Sequence, residues 1–102
     1  MAKLLAMYRH PKDKEAFDAY YFSTHAPLAK KIPKLRAYDV SSGGVSTPGG
    51  PAPFHLIATL TFDSAADIAA AFATPEGKAT AADLANFADG GVELMFFDVK
   101  EV

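Results

Sequence analysis

Of the three histidines in this 102-residue chain, His25 sits where its residue type could do chemistry. It lies in the run Tyr20-Tyr21-Phe22-Ser23-Thr24-His25-Ala26-Pro27-Leu28. An imidazole can accept or donate a proton near neutral pH without a metal or cofactor. Pro27 biases Ala26 away from helical backbone, so the helix leading into this run is expected to stop there, with His25 in its last turn. A helix C-terminus favours the imidazolium, whereas burial beside Tyr20 and Tyr21 favours the neutral ring, and the sequence leaves the sign of the shift open.

Other polar groups could assist. Tyr8, Tyr20, Tyr21 and Tyr38 are expected to pack in the core as a group, with Tyr38 leading, and Tyr8 and Tyr21 behind it, as hydroxyls presented to a ligand, because tyrosine places a polar tip on an apolar body. Arg36 or Arg9 could hold a carboxylate or an enolate oxygen by charge-assisted bonds. His55 and Thr59 share one strand parity and are assigned to the cavity wall. His10, ahead of Pro11, is expected in an exposed turn. The histidines are far apart, show no i, i+4 pairing and have no cysteine beside them, so no metal site is expected. No cofactor is called for, and nothing positive supports haem on a single histidine.

Elements must bring these groups together. Lys3 to Arg9 reads as a strand with neither face fully polar. After His10-Pro11, Asp13 is the N-cap of a helix whose buried stripe is Phe17, Tyr20, Tyr21, Thr24 and Leu28. Leu35 to Ser41 is a second strand, and Ser41 to Pro53 a long Gly/Pro loop without regular structure. This loop lacks the Gly-Lys-Ser/Thr ending of a phosphate loop and leads into a strand, not a helix. His55 to Asp63 is the third strand. Ser64 caps a small-residue helix to Ala73, and Pro75 opens another helical piece reaching about Ala88. Val92 to Val99 is the last strand, apolar on both faces.

The order strand, helix, strand, strand, helix, strand implies an α+β fold, a split βαβ sandwich with a four-stranded antiparallel sheet and helices on one face. The whole chain, residues 1–102, is read as one domain. The sheet's other face would be an apolar patch larger than monomers usually carry, so a second copy is the expected cover. Sheet against sheet in a homodimer would close a barrel with an apolar interior that holds a small hydrophobic ligand.

Composition excludes other classes. Half the residues are apolar and the net charge is −2, which offers no basic footprint for nucleic acid or anionic membrane. The absence of cysteine removes disulfides and thiol nucleophiles. No segment reaches the roughly twenty apolar residues of a membrane span. A cytoplasmic protein is the expectation.

Particular motifs carry a resemblance. The Met7-Tyr8-Arg9 strand end, Phe17…Tyr20-Tyr21…His25-Ala26-Pro27-Leu28, Ile32-Pro33…Leu35-Arg36…Tyr38, Phe72…Pro75-Glu76-Gly77 and Asp83…Asn86-Phe87 together resemble the EthD family of the dimeric α+β barrel superfamily. The resemblance implies a ferredoxin-like fold and a homodimer. It also implies that His25 occupies the histidine position used by lactone-isomerase relatives, and that Tyr38 faces the same cavity. The cysteines of some isomerase relatives have no counterpart here.

Two functions follow as expectations. In one, the domain is a cofactor-independent acid/base enzyme of isomerase, lyase or cyclase type acting on a small hydrophobic carbonyl compound, with His25 moving the proton and Tyr38 or Arg36 steadying the oxyanion. In the other, it is a non-catalytic binder of a small hydrophobic ligand, an accessory of an oxygenase pathway.

Overall fold

The computed structural model describes all residues from Met1 to Val102. The elements are β1 (Ala2–Arg9), α1 (Lys14–Tyr20), a π-helical turn (Tyr21–His25), α2 (Ala26–Ala29), β2 (Ala37–Val40), β3 (Ser46–Thr47), β4 (Gly50–Pro51), β5 (Phe54–Phe62), α3 (Ala65–Phe72), α4 (Pro75–Asp83), a 3₁₀ turn (Leu84–Asn86) and β6 (Val92–Asp98). β2, β5, β1 and β6 form one antiparallel sheet in that order. With β1 at its centre and the helices on one face, this is the ferredoxin-like split βαβ arrangement that the element order implied.

Local chemistry fixes the helix starts. The Asp13 carboxylate accepts from the Ala16 amide at 3.1 Å, Ser64 Oγ from Asp67 at 3.1 Å and Thr74 Oγ1 from Gly77 at 3.1 Å. Each cap satisfies an amide that has no partner inside its helix and is typically worth about 1 kcal/mol. α3 and α4 then run close together, which the missing side chain at Gly77 permits, since a Cβ there would collide with the Ala71 carbonyl.

The core lies between the sheet and the helices. Alternation along β1 sends Ala2, Leu4, Ala6 and Tyr8 inward, where they meet Leu56, Ala58, Leu60 and Phe62 of β5. Phe17, Tyr21, Ile68, Ala71 and Phe87 close the layer from above. Tyr8, Phe17, Tyr21 and Phe87 pack as one aromatic cluster with ring centroids 5.3 to 5.9 Å apart. Such pairs add to the area they bury.

The opposite face carries Leu5, Met7 and Ile57, half-buried, beside Met95 and Phe97, which are exposed. On the edge strand β6, Leu94 and Phe96 are exposed as well. The sheet is therefore oily on both sides, as its sequence required.

Two expectations need correction. The Gly/Pro loop is not wholly irregular, because β3 and β4 pair within it as a two-residue ladder, Ser46 opposite Pro51 and Thr47 opposite Gly50. Gly50 takes a φ of 138° at this turn, a backbone angle that side-chain-bearing residues rarely adopt.

The first helix also does not end at Ala26. It passes through Pro27 to Ala29 by widening into a π turn, in which the Ala26 amide donates to the Tyr21 carbonyl. In an unbroken α-helix the Pro27 ring would collide with the Ser23 carbonyl, and a wider turn relieves that clash. The extra residue shifts the buried stripe. Thr24 points outward, while Phe17, Tyr21, His25 and Ala29 point inward.

Candidate functional site

The π turn carries His25 into the core, where it is only 4% exposed. Its ring packs 4.6 Å from Phe87 and 5.3 Å from Tyr21. Nδ1 lies 2.9 Å from Oδ2 of Asp83, the last residue of α4. The other carboxylate oxygen of Asp83 accepts from the Tyr20 hydroxyl at 2.6 Å and from Asn86 Nδ2 at 3.0 Å. Burial pushes the Asp83 carboxyl up, yet bonds from Tyr20, Asn86 and His25 outweigh it and hold the group below the usual carboxylate range. The anion is thus held in place by three donors.

For His25, burial is the largest influence and lowers the pKa below the ordinary value of 6.5, against the raising pull of Asp83. The imidazole is therefore neutral at pH 7. Its Nδ1 faces an ionised acceptor, so Nδ1 carries the proton and Nε2 is left as the basic nitrogen. Nε2 has no hydrogen-bond partner in the chain and is not sealed from solvent, and His25 borders a cavity.

That cavity, of about 260 Å³, lies between the sheet and the helices. Leu4, Ala6, Ala58, Leu60, Leu94 and Phe96 form its floor, and Ala29, Ile68, Phe72, Ala81 and Leu84 its roof. Its polar groups come from His25, Thr80 and three tyrosines, Tyr8, Tyr21 and Tyr38. No lysine, arginine, aspartate or glutamate lines it.

The Tyr21 and Tyr38 hydroxyls are 2.6 Å apart. One must donate to the other, and where Tyr21 donates, the Tyr38 proton is left for a ligand. Burial, reinforced for Tyr8 and Tyr21 by the neighbouring Tyr38, pushes all three phenols upward, so they remain O–H donors.

The residues singled out in the sequence divide in two. His25, Tyr8, Tyr21 and Tyr38 meet around one cavity. Arg36, Thr59 and His55 do not line it. Arg36 makes a two-pronged exposed pair with Asp63 at 2.8 and 3.1 Å. Thr59 stands opposite Leu5 on the sheet face turned away from the helices.

His55 departs from that face because the β1–β5 register slips between Tyr8, which pairs with Leu56, and Arg9, which pairs with Phe54. The skipped residue turns to the first helix, its ring edge-on to Phe17 at 5.1 Å and its Nε2 2.8 Å from Asp18. The chamber reached by His25 is likewise under the helices and not between two sheets. Asp83, Tyr20 and Asn86 completed the site without being named as functional. In the sequence Asp83 and Asn86 stand out only within the family motif, and Tyr20 only as an aromatic neighbour of His25 in the buried stripe and the same motif.

No group of three or more His, Asp, Glu or Cys side chains could hold a metal, and no helix is long and apolar enough to cross a membrane.

Comparison with known proteins bears on this arrangement. The EthD domain model matches residues 9–91. The chain belongs to the EthD family. It is 41% identical over 102 residues to an uncharacterised 11.0 kDa protein of Rhodococcus erythropolis, covering 100% of this chain and 98% of that one. A crystal structure of an ethyl tert-butyl ether D (EthD) family protein from Bacillus halodurans superposes with a TM-score of 0.88 at 41% identity, covering 98% of this chain and 99% of the other. A dimeric protein of unknown function and ferredoxin-like fold from Bacteroides fragilis superposes with a TM-score of 0.64 at 18% identity, covering 96% and 95%. The matched range 9–91 takes in Tyr20, Tyr21, His25, Tyr38, Asp83 and Asn86, while Tyr8 lies one residue outside it.

Proposed function

We propose that this EthD protein is a cofactor-independent acid/base enzyme of isomerase, lyase or cyclase type that acts on a small, neutral, hydrophobic carbonyl compound. The observation that carries the reading is the Tyr20–Asp83–His25 chain, buried at its carboxylate and imidazole, whose histidine borders an apolar cavity. A carboxylate that fixes one imidazole nitrogen leaves the other as an oriented base, and a lowered pKa keeps that base unprotonated at neutral pH.

The step is a proton transfer. His25 Nε2 takes a proton from the carbon next to the carbonyl, and the C–H electrons move onto the carbonyl oxygen. The free hydroxyl proton of the Tyr21–Tyr38 pair bonds the resulting enolate oxygen, a role suited to neutral phenols in an apolar pocket. Return of the proton to a different carbon gives an isomer. Loss of a group from the β-carbon with its electron pair gives an elimination.

The cavity's lack of any cationic side chain, with the Asp83 carboxylate behind His25, supports a neutral substrate over a carboxylate. A homodimer belongs to this reading. The open apolar sheet face calls for a cover of matching chemistry, and a dimeric relative shares the fold.

Exchange of α-hydrogens for deuterium in neutral lactones, ketones and enones, followed by mass spectrometry in D₂O, tests the chemistry without knowledge of the final product. Binding ligands should exchange with the wild type, and His25→Ala should slow exchange by about 10²-fold or more. Ligands that bind His25→Ala and wild type alike and exchange with neither would overturn catalysis in favour of a binding protein.

A further inference from the structure

The second histidine–carboxylate pair opens on a different groove. His10, Lys14, Asp18 and His55 line it together with the Ser41–Val45 segment, and its volume is about 560 Å³. Its residues do not overlap those of the cavity beneath the helices. Where that cavity is apolar and without charge, this groove holds the Lys14 ammonium and the Asp18 carboxylate together with the apolar side chains Phe22, Val40, Phe54 and Leu56.

Three features give the groove a chemical preference. The Lys14 ammonium pairs with no carboxylate, although it lines a groove that contains Asp18. Asp18 is already engaged, its Oδ1 2.8 Å from His55 Nε2, with a ring 15% exposed that is fixed against Phe17. The amides of Ser42, Gly43, Gly44 and Val45 donate to no acceptor in the chain, whereas Ser41 on one side bonds Ile57 and Ala52 on the other bonds Val45. Consecutive amides without an acceptor in the chain and an unpaired ammonium, lining one groove, favour an anion, and the apolar side chains favour a hydrophobic body attached to it.

We infer that this groove binds a small carboxylic acid with an aromatic or aliphatic body, its carboxylate held by Lys14 and the Ser42–Gly44 backbone. This second site is independent of the chemistry proposed for His25. The two sites then divide ligands by charge, with neutral molecules under the helices and acids beside the Gly/Pro loop.

Benzoate and cyclohexanecarboxylate, with benzamide and cyclohexanecarboxamide as neutral counterparts, serve as probes in titration calorimetry and amide NMR on the intact protein. The acids should bind at least tenfold tighter than the amides and shift resonances of Ser42 to Val45 and His55. Lys14→Gln, on an exposed position outside the core, should weaken acid binding about tenfold, while His25→Ala should leave it unchanged. Equal affinity for acids and amides would overturn the assignment, as would acid binding that ignores Lys14→Gln, shifts centred on Tyr21 and Tyr38, or no acid binding at millimolar concentration.

Discussion

Two histidine–carboxylate pairs of nearly equal length stand on either side of the first helix, and they differ in almost everything else. His25 and Asp83 are 2.9 Å apart with side chains 5% and 7% exposed. His55 and Asp18 are 2.8 Å apart with Asp18 half in solvent. The buried carboxylate accepts from three groups, and the outer one from His55 alone. Distance therefore says little about what a pair can do. Burial sets how strongly the pair fixes a tautomer, and the surroundings decide what the remaining nitrogen meets.

The largest expected difference comes from deleting the carboxylates. Asp83→Ala should reduce α-hydrogen exchange about 10²-fold or more, since His25 loses the group that orders its tautomer. It should also lower stability in chemical denaturation by roughly 1–3 kcal/mol, because the buried His25 ring is left with an unpaired donor, whereas half-buried Tyr20 and exposed Asn86 can turn to water. Asp18→Ala should leave exchange unchanged and cost about 1 kcal/mol or less, as exposed pairs do. Equal effects of the two substitutions would erase the distinction between the pairs.

A smaller effect separates the two tyrosines that share a bond. Tyr38→Phe should slow exchange about tenfold while His25 keeps its tautomer, since Tyr21 retains a hydroxyl that can turn to the ligand. Tyr21→Phe adds a packing change, because Tyr21 is buried against Tyr8, Phe17 and Phe87. If the two variants behave alike in rate and stability, the hydroxyls serve packing alone.

The pH dependence gives a finer test. The folded-state pKa of His25 lies below its unfolded value of 6.5, because burial favours the neutral ring. Between those two values the unfolded chain binds more protons, so stability is full above about pH 6.5 and declines as pH falls through the folded value. The acid limb of exchange should likewise fall below pH 6.5. Asp83→Asn removes both influences that raise the His25 pKa, so the limb should move lower still, while Asp18→Asn should leave it in place. Movement upward in Asp83→Asn would show that the carboxylate was not what opposed the burial.

Much of the frame was legible in the residues. Alternation placed the four strands of the main sheet, and Asp13, Ser64 and Thr74-Pro75 marked helix starts that proved to be capped. His25 and the three tyrosines were legible as polar groups in an aromatic setting. What escaped the reading were departures from a regular period. A 3.6-residue stripe puts Thr24 inward and His25 aside, and only the π turn ahead of Pro27 reverses them. A two-residue alternation puts His55 beside Thr59, and only the register slip at Tyr8 and Arg9 parts them. Asp83 lies 58 residues from His25, and no local pattern announces a contact at that separation.

The most direct test of the site is a ¹⁵N NMR titration of the His25 ring. The expected result is a neutral imidazole protonated on Nδ1 at pH 7, with a midpoint below 6.5. A midpoint above 6.5, or a proton resting on Nε2, would contradict the account of His25 as an oriented base facing the cavity.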